Sequence, residues 1–199
     1  MTIGETDLRR RKLLLAATTG VGIAGAVATA IPFIDSMAPS EAAKAAGAPV
    51  ETDINRVDPG KLMTVEWRGR PVWIVHRTAE MLNLLGKHDT LLVDPRSEQP
   101  QQPPYAANPD RSIKPDFLVV TGVCTHLGCT PVYRPEPAVA DLGPEWPGGF
   151  YCPCHGSRFD LAGRVFKNVP APLNLEVPRH MYLSETRVLI GDDGKGAAT

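Results

Sequence analysis

The sequence predicts a mainly β protein, in which a single N-terminal transmembrane helix precedes an antiparallel β-sandwich head domain. Residues 13–34 carry no charged side chain, whereas the later part of the chain consists of short apolar runs separated by turn residues. The 199 residues include 20 prolines and 18 glycines, and such frequent interruption favours short strands over long helices. The formal net charge of −1 gives no reason to expect nucleic acid as a partner.

The N-terminus predicts a membrane anchor and an export signal. Residues 1–12 end in the basic cluster Arg9-Arg10-Arg11-Lys12, and residues 13–34 follow as an uncharged stretch. A helix of that length spans about 33 Å, close to the thickness of a bilayer's hydrocarbon core. The positive-inside bias keeps residues 1–12 in the cytoplasm and sends the rest of the chain across the membrane.

Residues 10–14, Arg-Arg-Lys-Leu-Leu, also resemble a twin-arginine export signal. The alternative is a signal peptide cleaved after Ala28-Thr29-Ala30. Because the apolar run continues through Ile34, we favour an anchor that is retained.

A tether and a globular head domain follow the anchor. Residues 35–49 are rich in alanine and poor in bulky apolar side chains, so they cannot form a core. They predict a partly helical linker. A more specific hypothesis is that this linker is a hinge that sets how far the head can move. Residues 50–199 are the predicted head, with a polar, frayed tail from Gly191.

Short strands dominate the head. Residues 94–115 predict a surface insertion, and residues 134–149 a second Pro- and Gly-rich loop. The pattern predicts a hairpin of residues 62–67 and 71–76, a helix over 78–85 capped by Thr78 and Gly86, a buried strand over 117–123, a hairpin over 157–166, and paired strands over 180–183 and 187–190.

Two short boxes hold all four cysteines and two of the five histidines. The first is Cys124-Thr125-His126-Leu127-Gly128-Cys129, and the second is Cys152-Pro153-Cys154-His155-Gly156-Ser157. This inventory fits a [2Fe-2S] cluster with two thiolate and two imidazole ligands, leaving two cysteines to pair as a disulfide. A tetrahedral zinc site is the alternative, although zinc commonly uses two C-x-x-C knuckles. The chain is therefore expected to carry electrons.

The boxes, the basic signal, the single anchor, the tether and the stretch 169–175 together resemble a Rieske iron–sulfur protein of the quinol-oxidising cytochrome bc family. The resemblance implies a cluster-binding subdomain over about residues 120–173 and a third loop over residues 169–175 that covers the cluster. It implies one [2Fe-2S] cluster per chain. The implied ligands are Cys124, His126, Cys152 and His155, and the implied disulfide joins Cys129 and Cys154.

Two positions near the boxes bear on the cluster's potential. Ser157 follows the second box directly, and its hydroxyl is expected to donate to a bridging sulfide, which stabilises the reduced cluster. Phe159 stands where many members of the family have tyrosine, so one hydroxyl donor is missing. The reduction potential of the cluster should therefore be lower than in the relatives that have tyrosine there. Val169 stands where a glycine is usual in the third loop.

The resemblance implies an electron-transfer subunit of a quinol–cytochrome c reductase, inactive alone. It would take one electron from a quinol, either ubiquinol or another quinol. His155 would accept the proton, and His126 would be the second exposed imidazole. The electron would pass to a c-type cytochrome subunit beside a cytochrome b subunit, in a dimeric complex of the bacterial inner membrane with the head in the periplasm.

Other functions remain open on the sequence. A Rieske subunit of another exported oxidoreductase, such as an arsenite oxidase, shares the twin-arginine start. An oxygenase-type Rieske module is disfavoured by the extra pair Cys129 and Cys154, which such boxes usually lack. Outside the boxes, the remaining histidines and the tryptophans are interpreted as ordinary surface, strand or packing residues: His76, His88, His180, Trp67, Trp73 and Trp146.

Overall fold

The computed structural model describes the backbone of residues 3–194 and the side chains of residues 7–45 and 47–194. The chain divides into two compact units between Ala45 and Ala46. The predicted frayed tail falls largely outside the described residues.

The first unit is dominated by one long helix, α1, over Ile3–Ser36, which contains the whole predicted apolar stretch. Every side chain described along it is exposed, including Leu13 at 70% and Phe33 at 74%. A window of this helix reaches a mean hydropathy of 1.8, and the helix is long and apolar enough to cross a membrane. A long helix that is apolar all round is typical of a segment that lies in lipid.

A second, short helix, α2, covers Glu41–Ala46 within the tether. Ser40 begins it, because its hydroxyl accepts a hydrogen bond of 3.2 Å from the Ala43 N–H. Lys44 and Glu41 form an exposed ion pair one turn apart. The tether is thus partly helical, as the sequence predicts.

The head consists of three three-stranded antiparallel sheets. Their orders are β1-β9-β8, β2-β3-β4 and β5-β6-β7. The strands are β1 (Val50–Asp53), β2 (Leu62–Trp67), β3 (Arg70–His76), β4 (Phe117–Thr121), β5 (Val132–Arg134), β6 (Gly149–Tyr151), β7 (Arg158–Phe159), β8 (His180–Tyr182) and β9 (Arg187–Ile190).

The sheet β2-β3-β4 packs against both other sheets, and its strands β3 and β4 are buried on both faces. Val72 and Ile74 of β3 pack with Val188 of β9 in one apolar cluster. Trp73 and Val75, the alternate residues of the same strand, pack with the third sheet in another. Because side chains alternate across a strand, β3 has four consecutive buried residues where a one-sided strand would alternate.

Local turn and capping signals produce two of the predicted elements as expected. Arg68 and Gly69, between β2 and β3, both have positive φ values, 53° and 68°, as tight two-residue hairpin turns require. Helix α3 covers Ala79–Leu85, with Thr78 as its N-cap and Gly86 as its C-cap. The pairing of β8 with β9 is also confirmed, whereas β1, which extends that sheet, was not predicted.

The predicted hairpin over residues 157–166 is present as a short antiparallel pairing around Ala162. The Asp160 N–H donates to the Arg164 carbonyl at 2.9 Å, the Phe166 N–H donates to the Arg158 carbonyl at 3.1 Å, and a bridge joins Phe159 to Val165. Strand β7 also pairs with β6 on its other side. The Asp160 carboxylate closes the turn of this hairpin, because one of its oxygens accepts hydrogen bonds from the Ala162 and Arg164 N–H groups. These bonds form a compact turn over residues 160–164.

Residues 94–115 match the predicted surface insertion only in part, because exposed residues such as Glu98, Gln99 and Pro100 lie beside a buried anchor, Arg111. Arg111 within this segment is 0% exposed, and its guanidinium donates to the carbonyls of Ala162, Gly163 and Leu175. Burial lowers the pKa of Arg111 to about 10, so it stays charged at neutral pH. The segment is therefore anchored to the domain's interior through Arg111.

Two more buried arginines meet the same turn. Arg77 donates to the Leu161 carbonyl at 3.2 Å, and Arg164 bonds the Asp160 carboxylate at 2.8 Å. Arg77 and Arg111 therefore bond the turn over residues 160–164 from outside, and Arg164 bonds it from within. This turn directly follows strand β7 of the third sheet.

The predicted loop over residues 134–149 runs between β5 and β6 and has internal support. Arg134 forms a two-pronged ion pair with Asp141, at 2.8 and 2.9 Å. The Trp146 indole N–H donates to the Arg134 carbonyl, and its ring packs near Phe166. Trp146 is a packing residue, as expected.

Candidate metal centre

The first box forms a tight loop at the end of the central sheet. Strand β4 ends at Thr121, and at Gly122 an added Cβ would strike the ring of Trp73, so no larger residue fits there. Two residues later, the Cys124 N–H donates to the Cys129 carbonyl at 2.7 Å, and the Gly128 N–H donates to the Cys124 carbonyl at 3.0 Å. Gly128 has a φ of 84°, which glycine adopts without strain.

The second box has the same backbone hydrogen bonds. The Cys152 N–H donates to the Ser157 carbonyl at 2.8 Å, and the Gly156 N–H donates to the Cys152 carbonyl at 2.9 Å. Gly156 has a φ of 79°. Each loop thus has a cysteine at its first position, a left-handed glycine at its fifth, and bonds between equivalent atoms.

The two loops separate their thiols from their imidazoles. Cys124 and Cys152 are unpaired and buried, at 3% and 2% exposed. The ring of His155 is exposed and that of His126 half-buried, and their centroids lie 4.8 Å apart. The structure therefore brings the two imidazoles together and the two thiols together, with the thiols buried and the imidazoles more exposed.

Cys129 and Cys154 form the disulfide that the resemblance implies. Their Cα atoms are 6.8 Å apart, within the range that disulfides span. The bond joins the end of the first loop to the middle of the second. It holds the two halves of the centre together across 25 residues of sequence.

The donor set fits a cluster with mixed ligands. Three sulfur atoms, those of Cys129, Cys152 and Cys154, lie within 4.8 Å of one another, but two of these are bonded to each other and cannot act as thiolates. The free thiols Cys124 and Cys152 contact each other, and burial raises the pKa of the Cys152 thiol. A metal ion binds the deprotonated thiolate and would displace this proton.

Two hydroxyls connect the boxes to the third loop. The Ser157 hydroxyl oxygen accepts a hydrogen bond of 3.0 Å from the Ala171 N–H, in a fully buried position. The Thr125 hydroxyl donates to the Leu173 carbonyl at 2.6 Å. Each box thus forms one hydrogen bond to the stretch 169–175. Thr125 was not singled out from the sequence, and its place between Cys124 and His126 is the signal that was available.

Phe159 lies beneath the centre. It is 0% exposed and belongs to the apolar cluster that also contains Cys124, Cys152 and Phe150. The ring provides packing but no hydrogen-bond donor toward the thiols.

The histidines outside the boxes lie elsewhere. His180 is buried in β8, and burial lowers its pKa. His76 ends β3 and stacks on Phe117, and His88 bonds the Leu84 carbonyl. None of the three belongs to the metal centre as described.

Comparisons with known proteins place this arrangement in a family. A model described as the Rieske [2Fe-2S] domain matches residues 50–179. A model described as the ubiquitinol-cytochrome C reductase Fe-S subunit TAT signal matches residues 1–40.

Curated relatives agree with the family models. The ubiquinol-cytochrome c reductase iron-sulfur subunit of Allochromatium vinosum is 61% identical over 100% of this chain and 95% of its own length. The corresponding subunit of Blastochloris viridis is 42% identical, covering 93% and 94%. Among solved structures, a chain of a "Hyperthermophilic respiratory Complex III" has a TM-score of 0.48 at 22% identity, covering 86% of this chain and 96% of that one.

The fold and the centre define a Rieske protein, with a head domain of the type that carries a [2Fe-2S] cluster. The chain belongs to the family of ubiquinol–cytochrome c reductase iron–sulfur subunits. These relatives favour the quinol reductase over the arsenite oxidase that the sequence left open. The matched export signal and the apolar helix α1 fit a membrane-anchored, exported subunit.

Proposed function

We propose that this chain takes one electron from a quinol and passes it to a c-type cytochrome subunit of the same complex. The observation that carries the proposal is the pair of accessible imidazoles 4.8 Å apart, in the same two loops that hold two buried thiols. An exposed imidazole can contact a bulky substrate, whereas the buried sulfurs cannot.

The proposed ligands are Cys124, His126, Cys152 and His155. When bound to them, a [2Fe-2S] cluster supplies one-electron chemistry at a potential that neutral imidazole ligands raise. Cys124 and Cys152 hold the dry side of the site, where burial excludes water from the sulfurs.

His155 is the proposed proton acceptor. An imidazole that binds metal through one ring nitrogen keeps the other for a proton. Because the ring of His155 is exposed, that nitrogen can accept the proton of a quinol hydroxyl. His126, half-buried beside it, is the second imidazole that can exchange a proton.

Ser157 is the proposed hydrogen-bond donor toward the cluster. Its oxygen already accepts from the Ala171 N–H, which leaves the hydroxyl hydrogen available for a sulfur. Such a bond favours the reduced state, because that state carries more negative charge.

The proposed topology has residues 1–12 in the cytoplasm, residues 13–34 across the bacterial inner membrane and residues 50–199 in the periplasm. The basic cluster at residues 9–12 supports this orientation. Residues 35–49 serve as a hinge that lets the head move between a cytochrome b subunit and a c-type cytochrome subunit, in a dimeric complex.

The first experiment tests the ligands. The full-length chain, purified in mild detergent, should contain two iron atoms and show the electron paramagnetic resonance signal of a reduced Rieske cluster. His155→Ala should lose both, whereas the matched control His88→Ala, outside the boxes, should keep both. Retention of iron and signal in His155→Ala would show that the ligand assignment is wrong.

The second experiment tests the partners and the proton. A tagged chain should co-purify with b- and c-type haem, and its absence from such a complex would contradict the proposed partners. The midpoint potential should fall at alkaline pH by about 59 mV per pH unit for each proton taken up with the electron. A potential that does not change with pH would contradict proton uptake by the imidazoles.

A further inference from the structure

A free thiol lies beside the disulfide of the centre. The sulfurs of Cys129, Cys152 and Cys154 are all within 4.8 Å of one another, and Cys152 is the unpaired one. A disulfide is exchanged when a third sulfur attacks one of its two atoms. Cys152 is close to both, whereas Cys124, the other free thiol, is not part of this three-sulfur group.

We propose that, in the chain without its cluster, Cys152 attacks Cys129 and displaces Cys154. The Cys129–Cys154 bond breaks as a Cys129–Cys152 bond forms. The proton that Cys152 gives up is balanced by the proton that the released Cys154 takes up. No external oxidant or reductant is consumed, because the number of disulfides is unchanged.

Attack on Cys129 is favoured over attack on Cys154 by the length of the ring that forms. A Cys152–Cys154 bond would close a ring over the single residue Pro153, whose φ is fixed by its own ring. A Cys129–Cys152 bond closes a loop two residues shorter than the native one, so the entropy of loop closure hardly changes. The exchange also converts a buried free thiol into an exposed one, since Cys154 is exposed.

The consequence is that the empty site cannot take up a cluster until a thiol reductant reverses the exchange. This step rests on the proposed role of Cys152 as a ligand: a bound cluster occupies its sulfur and prevents the exchange. Once the cluster is lost, the exchange removes a ligand and closes the site against reloading. A thiol reductant is then needed before a new cluster can enter.

The test compares the full-length chain in detergent with its cluster and after anaerobic removal of iron by a chelator. Both samples are incubated for some hours, since uncatalysed rearrangement takes minutes to hours. Free thiols are then alkylated, and the unreduced digest is analysed by mass spectrometry. In the depleted chain the label should move from Cys152 to Cys154, and a Cys129–Cys152 peptide should appear.

Two variants and a rescue sharpen the result. In the depleted state, Cys124→Ser should still exchange, whereas Cys152→Ser should keep the Cys129–Cys154 bond. Treatment of the exchanged wild-type chain with dithiothreitol, before iron and sulfide are added, should restore cluster loading.

The outcomes separate this proposal from the proposed function. A depleted wild-type chain that keeps Cys129–Cys154 intact and labels Cys152 overturns the exchange and leaves the ligand assignment standing. Disulfides to Cys124 in that sample also overturn it. A loaded chain that labels Cys152 as fast as the depleted chain overturns the ligand assignment instead.

Discussion

Neutralising Asp160 should destabilise the head far more than neutralising Asp89, although both carboxylates bond the same arginine. Arg164 has a fully buried side chain. Its Nε donates to Asp160 at 2.8 Å, and its Nη1 lies 3.1 Å from Asp89. Asp160 is buried at 3% exposure of its side chain, whereas the side chain of Asp89 is 49% exposed.

The magnitude follows from what each change leaves behind. Asp160→Asn puts an amide in the carboxylate position and leaves a buried cation without its buried counter-charge, which costs about 3–5 kcal/mol. Asp89→Asn removes a solvent-screened partner, at a cost of about 1 kcal/mol or less. For a head of this size, 1 kcal/mol lowers Tm by about 2–4 °C, so Asp160→Asn should lower it by roughly 10 °C.

Circular dichroism melts of the full-length, cluster-loaded variants at one scan rate provide the assay. The matched pair controls for charge, because each variant removes one negative charge near one guanidinium. Equal melting temperatures for the two variants would refute the reasoning, since burial would then make no difference to the value of the ion pair.

Three further changes test other parts of the head. Phe159→Tyr adds a hydroxyl donor beneath the centre and should raise the midpoint potential in a redox titration; a fall or no change would contradict this account. His180 has a pKa below 6.5 because it is buried, so the unfolded chain binds its proton first and the unfolding free energy should decrease as the pH falls below about 6.5. Urea titrations of His180→Asn should show a smaller decrease, and an unchanged slope would refute the role of this ring. The double variant Cys129→Ser/Cys154→Ser opens a loop of 25 residues and should lose about 3.5 kcal/mol in urea unfolding; a loss below about 1 kcal/mol would contradict that estimate.

The parts of this protein that could be predicted from sequence are those set by local signals. The turn at Arg68-Gly69, the caps Thr78 and Gly86 and the uncharged stretch over 13–34 each act within a few residues, and each appears as expected. The cysteine and histidine boxes are equally local, because all the candidate donors lie within two six-residue segments.

The parts that could not be predicted depend on distant partners. Residues 94–115 appear polar and loop-like, yet Arg111 is buried because carbonyls more than fifty residues away, at Gly163 and Leu175, accept its hydrogen bonds. The hairpin over 157–166 could be predicted, but not the buried Asp160 carboxylate that accepts the Ala162 and Arg164 N–H groups in its turn. No periodicity in the sequence reports either interaction.

The two loops have the same backbone hydrogen bonds but carry their histidines at different positions. The cysteine at the first position and the glycine at the fifth recur in both loops. The positions between them differ, so that the imidazole occupies the third place in one loop and the fourth in the other. The same loop backbone thus carries two imidazoles at different positions, and of the two histidines His155 is the more exposed to solvent.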